Sequence, residues 1–206
     1  MDLSDVMRSG GAGKIVVPDV LRDALPGLCV ALGYTHGAEV GVYKAEHCAR
    51  FCAAGLSMLA IDPWRAFDGQ GRTQQVQARQ DFLYGHAGRV LAPYGDRARI
   101  LRMTSAEAAA QVPPNSLDFV YLDGDHTFSA IAFDLETWWT RVRPGGLVMG
   151  HDYWCTPPSA TNVVCQVAPV VDAFVTAYQI PRYWVSGVNP TGPKDDRYSS
   201  WWFMRP

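Results

Sequence analysis

Glu39 lies near the end of the short apolar run 38–42, and Asp62 closes a second run, 57–61, about twenty residues after the first turn. A carboxylate at the first position repels a pyrophosphate but attracts an ammonium or sulfonium group. An acidic side chain at the second can accept hydrogen bonds from both hydroxyls of a ribose. Together they describe a nucleoside that carries positive charge. Two further apolar runs also end in polar clusters: Asp123-Gly124-Asp125-His126 after 117–122, and His151-Asp152-Tyr153 after 147–150.

These residues need a scaffold that collects strand ends on one side. From about residue 38 onward strand and helix patterns alternate, as expected of a parallel sheet covered on both faces. Strands are read at 38–42, 57–61, 98–103, 117–122, 147–150, 183–186 and 200–204. Helices are read from Lys44 to a C-terminal Gly55, over 72–90, after an N-capping Ser105, over 127–142, and over 163–178, where Pro169 either kinks or splits the last one. Ligands of such a sheet bind in the crevice outside the carboxyl ends of its strands. The turn Glu39-Val40-Gly41-Val42-Tyr43-Lys44-Ala45 has one glycine where a dinucleotide fingerprint needs three, which disfavours NAD or FAD.

The 206 residues suit one domain with appendages. An apolar fraction of 48% with 18% charged residues excludes a disordered chain. Eighteen Lys and Arg against twenty Asp and Glu leave a net charge of −2, without the basic footprint that nucleic acid or an anionic membrane demands. No apolar stretch is long enough for a signal-peptide core or a membrane span, so a cytoplasmic protein is expected. Five cysteines (Cys29, Cys48, Cys52, Cys155, Cys165) without CxxC spacing read as free thiols. His47, Cys48 and Cys52 lie on one helix, where Cys48 and Cys52 at i, i+4 share a face that packs on the sheet rather than binding a metal. Trp201 and Trp202 alternate sides in a strand, one facing the core and the other a homodimer contact or the acceptor pocket.

The segments Glu39–Glu46, Ile61-Asp62-Pro63-Trp64, Asp118–His126 and Pro144-Gly145-Gly146 through Gly150-His151-Asp152-Tyr153 resemble class I S-adenosylmethionine-dependent methyltransferases, in particular the bacterial branch of small-molecule and sugar O-methyltransferases. The resemblance covers about residues 35–155. It departs at Ala45, where the family often has glycine. It implies a Rossmann-like, doubly wound, mostly parallel seven-stranded sheet with an antiparallel C-terminal strand, in a single domain: a cap segment 1–34, a cofactor-binding core 35–155 and a C-terminal part 156–206.

The resemblance further implies S-adenosyl-L-methionine as cofactor, with Glu39 and Gly41 on the methionine moiety, Asp62 on the ribose, Trp64 or the Thr104-Ser105 turn on the adenine, and Tyr43 and Asp123 also among the cofactor-binding residues. Metal-dependent catechol-type relatives within the fold map a cation site onto Asp123, His151 and Asp152, and a general base onto His126. His151 is a softer ligand than Mg²⁺ prefers, which leaves Mg²⁺, Mn²⁺, Zn²⁺ and a metal-free cluster all open. An imidazole with a pKa near 6.5 suits removal of the acceptor's proton. His151 is the competing base. The expected partner is a small hydroxylated acceptor, a sugar or a natural-product scaffold. The alternatives are a metal-dependent hydroxylase on the same fold, an NAD(P) oxidoreductase and a non-catalytic binding domain.

Overall fold

Short, almost wholly apolar strands alternate with helices that each bury one stripe, and this pattern builds a sheet with a core on either face. The computed structural model describes residues 5, 7, 11–66, 76–154, 165–188 and 198–206. Its strands are β1 (Gly13–Val17), β2 (His36–Val40), β3 (Ser57–Ile61), β4 (Ala98–Leu101), β5 (Leu117–Leu122), β6 (Val142–Gly150), β7 (Arg182–Ser186) and β8 (Trp201–Met204). Its helices are α1 (Leu25–Ala31), α2 (Glu46–Ala53), α3 (Gln77–Leu91), α4 (Ser105–Ala109), α5 (Phe128–Trp139) and α6 (Val167–Ala177), with 3₁₀ turns at Arg22–Ala24 and Ala92–Arg97.

The strands form one sheet in the order β1-β7-β8-β6-β5-β2-β3-β4. All neighbours pair parallel except β8, which runs antiparallel between β6 and β7. The expected mostly parallel sheet is therefore present, with one strand more than seven. The addition is β1, from the segment expected only as a cap, which pairs parallel with β7.

One face of the sheet buries Phe119, Tyr121, Met149, Trp184 and Trp202 beneath α1, α2 and α3. The other buries Val120, Leu122, Val148, Trp201 and Phe203 beneath α4, α5 and α6. Successive β8 side chains thus point to opposite cores. Trp201 and Trp202 are both fully buried, which leaves neither at the surface for the dimer contact expected of one of them, while Trp201 lines a small cavity together with His126 and His151.

Several local expectations shift. Thr104, not Ser105, caps α4: its hydroxyl accepts from the Glu107 N–H while Glu107 reaches back to the Thr104 N–H, a reciprocal capping box. Helix α5 ends at Trp139, and β6 begins already at Val142, so the Pro144-Gly145-Gly146 turn lies inside the strand as an irregularity in its pairing with β5. Pro169 falls in the first turn of α6, where its missing N–H breaks no helical bond. Residues 163–164 and 72–75 of the expected helices lie outside the described residues. Cys165 is disulfide-bonded, which corrects the free-thiol reading there; a fold can pair cysteines that no local spacing announces. Cys29, Cys48 and Cys52 are free and buried, and Cys155 lies outside the described residues.

Candidate active site

Strand register sets the site. Val40 is level with Ile61 on one side and Leu122 on the other, Ile61 with Leu101, and Leu122 with Gly150. The residues one position beyond that row are Gly41, Asp62, Asp123 and His151, and each donates its N–H to a carbonyl of the adjacent strand. Chain order reverses between β2 and β5, which makes this the topological switch point where such sheets bind ligands.

Gly41 sits at φ +88°, and a Cβ there would overlap the Asp123 carbonyl, so no other residue fits this turn. The turn then passes through Tyr43 and Ala45, both at positive φ. Ala45 stands where glycine is frequent among the resembled proteins, at a cost of about 1 kcal/mol of left-handed backbone. Asp62 holds the turn from the next strand: Oδ2 accepts from the Tyr43 N–H at 2.9 Å and Oδ1 from the Trp64 N–H at 2.8 Å. Burial raises the Asp62 pKa, and these two donors only partly offset it.

Trp64 is 1% exposed, packs on Tyr84 and donates its indole N–H to the Tyr43 carbonyl at 2.9 Å. It braces the loop and offers no open ring to an adenine, unlike its expected role. Tyr43 is exposed at the rim. The Ser105 hydroxyl is held between the Asp134 carboxylate and the Trp138 indole. Of the Thr104-Ser105 turn, the Thr104 side chain is likewise engaged, in its own cap.

The acceptor-side residues converge. His126 Nε2 lies 3.1 Å from Asp152 Oδ2 and 3.7 Å from Asp123 Oδ1. His151 Nδ1 lies 3.5 Å from Asp152 Oδ2 and 3.7 Å from Asp123 Oδ1. Burial disfavours charge on both imidazoles, but the flanking carboxylates outweigh it: His126 is raised above its ordinary value and His151 is pushed up to about 10. Burial would raise Asp123 as well, yet Arg22 and the histidines hold it well below the usual carboxylate range. Asp125 is turned away, accepting from the Thr127 N–H at 2.9 Å as a cap for α5. One ligand atom each from Asp123, His126 and Asp152 lie within 4.8 Å of one another, a spacing that suits a cation. The geometry thus brings His126 into the donor set, with His151 beside it.

Arg22 was not legible as a site residue. It reaches in from the 3₁₀ turn before α1, with Nη2 2.8 Å from Asp123 Oδ2 and 3.7 Å from Glu39 Oε1. His47 of α2, not expected at the site, stands 3.3 Å from the same Glu39 oxygen. The only sequence signal for Arg22 is a basic residue in a mixed segment, Asp19-Val20-Leu21-Arg22-Asp23, which is too common to single out.

A mostly parallel sheet with an antiparallel strand inserted beside its end, and a polar site on the carboxyl ends around the switch point, defines the class I S-adenosylmethionine-dependent methyltransferase fold. The chain belongs to that class: a family model described as a methyltransferase domain matches residues 36–153. A Sinorhizobium fredii protein, y4gI, whose activity is uncharacterized, is 33% identical over 125 residues, which cover 55% of this chain and 12% of that protein.

Among solved structures, a Bacillus cereus O-methyltransferase in complex with S-adenosylhomocysteine is similar at TM-score 0.63 and 14% identity, covering 89% of this chain and 80% of that one. The Streptomyces achromogenes O-methyltransferase TomG, in complex with S-adenosylmethionine, is similar at 0.58 and 12%, covering 90% and 79%. The Burkholderia thailandensis 1,6-didemethyltoxoflavin-N1-methyltransferase, with 1,6-didemethyltoxoflavin and S-adenosylhomocysteine bound, is similar at 0.58 and 14%, covering 89% and 76%. At these identities the likeness is one of fold. No helix among the described residues is long and apolar enough to cross a membrane.

Proposed function

We propose that this chain transfers the methyl group of S-adenosylmethionine to a hydroxyl of a small-molecule acceptor, a sugar or a natural-product scaffold. The observation that carries the reading is the aligned row Gly41, Asp62, Asp123 and His151, with a nucleoside-type half around Asp62 and a proton-handling half around His126. O-methyltransferase and N-methyltransferase neighbours with S-adenosylmethionine or S-adenosylhomocysteine bound support the cofactor.

The residues present suit the cofactor by their chemistry: Asp62 offers a carboxylate that could accept from ribose hydroxyls, and Glu39 with Asp123 supplies negative charge for an ammonium or sulfonium. When bound, S-adenosylmethionine supplies an electrophilic methyl group on sulfur. The protein's share is to orient the acceptor oxygen in line with that methyl and to take its proton. His126, the more exposed of the two imidazoles at 27% against 5%, suits that task, with its buried Nε2 against Asp152 and Asp123, which steady the charge it gains.

A divalent cation also fits, held by Asp123, His126 and Asp152; it would lower the pKa of a bound hydroxyl. Mixed imidazole and carboxylate donors favour Mn²⁺, Zn²⁺ or Fe²⁺ over Mg²⁺. The same donors would suit a metal-dependent hydroxylase, the second reading.

Calorimetry with S-adenosylhomocysteine, NAD and 2-oxoglutarate in turn tests the assignment. Binding of the first alone is the expected result. Binding of 2-oxoglutarate or NAD without it overturns the methyl-transfer reading. Release of S-adenosylhomocysteine in the presence of hydroxylated sugars or phenols then identifies the acceptor class.

A further inference from the structure

Two carboxylates, Glu39 at the end of β2 and Asp123 just past the end of β5, share one guanidinium, with His47 beside Glu39 and His126 and His151 beside Asp123. Arg22 Nη2 lies 2.8 Å from Asp123 Oδ2 and 3.7 Å from Glu39 Oε1. The guanidinium carbon is 5.2 Å from the centre of the Tyr121 ring, which fixes the plane of the fork. The side chains of Glu39, Arg22 and Asp123 are only 2%, 7% and 16% exposed. With so little water to screen them, two anions at adjacent strand ends repel far more strongly than on a surface, and a cation between them lets both stay ionised. By taking Asp123 Oδ2, Arg22 also leaves Oδ1 turned toward His126 and His151, each 3.7 Å away.

Resting on the methyl-transfer reading, in which Glu39 and Asp123 receive the amino-acid end of the nucleoside, a consequence follows for selectivity. That end is a zwitterion, with an ammonium that the carboxylates attract and a carboxylate that they repel. We infer that Arg22 is a specificity-determining positioning residue of the cofactor site: by neutralising one of the two carboxylates and holding both in place, it makes the pocket selective for nucleosides that carry an amino-acid group over those ending in a plain thioether. Removing Arg22 takes away the guanidinium that the two carboxylates share, which leaves them more repulsive to the ligand's own carboxylate.

The test compares S-adenosylhomocysteine with 5′-methylthioadenosine, which lacks the amino-acid end, by calorimetry on the wild type, Arg22→Met and Arg22→Lys. The wild type is expected to prefer S-adenosylhomocysteine by more than about tenfold. Arg22→Met should lose about tenfold or more for S-adenosylhomocysteine and less than about threefold for methylthioadenosine, and Arg22→Lys should recover part of the difference by restoring the charge without the fork. Three results overturn the inference: a wild type that binds both nucleosides alike, an Arg22→Met that keeps its S-adenosylhomocysteine affinity, or one that loses both ligands by the same factor, as a merely structural residue would. If Arg22→Met does not fold, the ratio of the two affinities in Arg22→Lys decides, with an unchanged ratio counting against; the wild-type comparison decides in any case. A wild type that binds neither nucleoside removes the methyl-transfer reading itself, and the inference with it.

Discussion

His126 and Asp152 face each other across the end of the β5–β6 pair, with Nε2 3.1 Å from Oδ2. They come from different strand-end clusters, and their approach turns two unremarkable motifs into one donor set with Asp123. Under the cation proposal the same atoms would hold either a proton or a cation, so the two would compete. Mn²⁺ titration followed by electron paramagnetic resonance should detect one bound ion per chain, with protons released as it binds at pH 7. Asp152→Ala should weaken that binding by about tenfold or more. Wild-type protein that leaves Mn²⁺ free at millimolar concentration means that the cluster serves the acceptor alone.

Two histidines compete for the role of base. His126→Ala is expected to lower kcat by about 10²–10⁴-fold with S-adenosylhomocysteine affinity nearly unchanged, the effect of removing a positioned proton acceptor. His151 is more buried and stacks edge-on at 6.1 Å from Tyr198, so His151→Ala should cost less. The reverse order, with folding intact in both variants, transfers the role to the end of β6.

Gly41→Ala should destabilise the protein by about 3 kcal/mol or more. Left-handed φ contributes about 1–2 kcal/mol, and the remainder comes from overlap with the Asp123 carbonyl. Thermal unfolding reads the loss. A melting temperature within a degree or so of wild type would mean that the β2 turn can open away from β5.

Asp62→Asn preserves shape but removes the charge that would meet the ribose hydroxyls. S-adenosylhomocysteine affinity should fall more than about tenfold, since hydrogen bonds to a charged group contribute about 1.5–3 kcal/mol each. Because Asp62 also ties the Tyr43 and Trp64 N–H groups, the near-ultraviolet dichroism of the unliganded variant reports whether the loop itself has moved. Unchanged affinity removes Asp62 from the ribose role.

Acid should weaken the joint between β2 and β5 first. Burial alone would raise the Asp118 pKa, but the Thr35 N–H, the Arg143 guanidinium and the His36 N–H reverse this and hold it down at about 2. A depressed folded-state pKa contributes stability that is fully present above the unfolded value near 3.9 and is lost as pH falls through the folded one. Asp118→Asn should therefore lose about 1 kcal/mol at pH 7, once solvent screening is allowed for, and should flatten the stability profile between about pH 4 and 2. Urea unfolding across that window checks the sign.

Strand ends were readable because a buried parallel strand is a short apolar run, and the first polar residue after it marks where the sheet stops. That local rule located Asp62, Asp123, His126, His151 and Asp152, and Gly55 at φ +98° ends α2 as its position suggested. The α4 cap was misplaced by one residue, since Thr104 and Ser105 are both good caps and only backbone geometry chooses between them.

By itself, then, the sequence determined the alternation of strands and helices and the chemical types waiting at the strand ends, because both are written in contacts between near neighbours. Tertiary structure alone decided that β1 joins the sheet, that Trp201 and Trp202 enter opposite cores, and that His126 comes together with Asp123 and Asp152. It alone brought Arg22 to Asp123, 101 residues further along the chain. Strand register and the docking of the first helix set these distances, and neither leaves a periodic mark near the residues it joins.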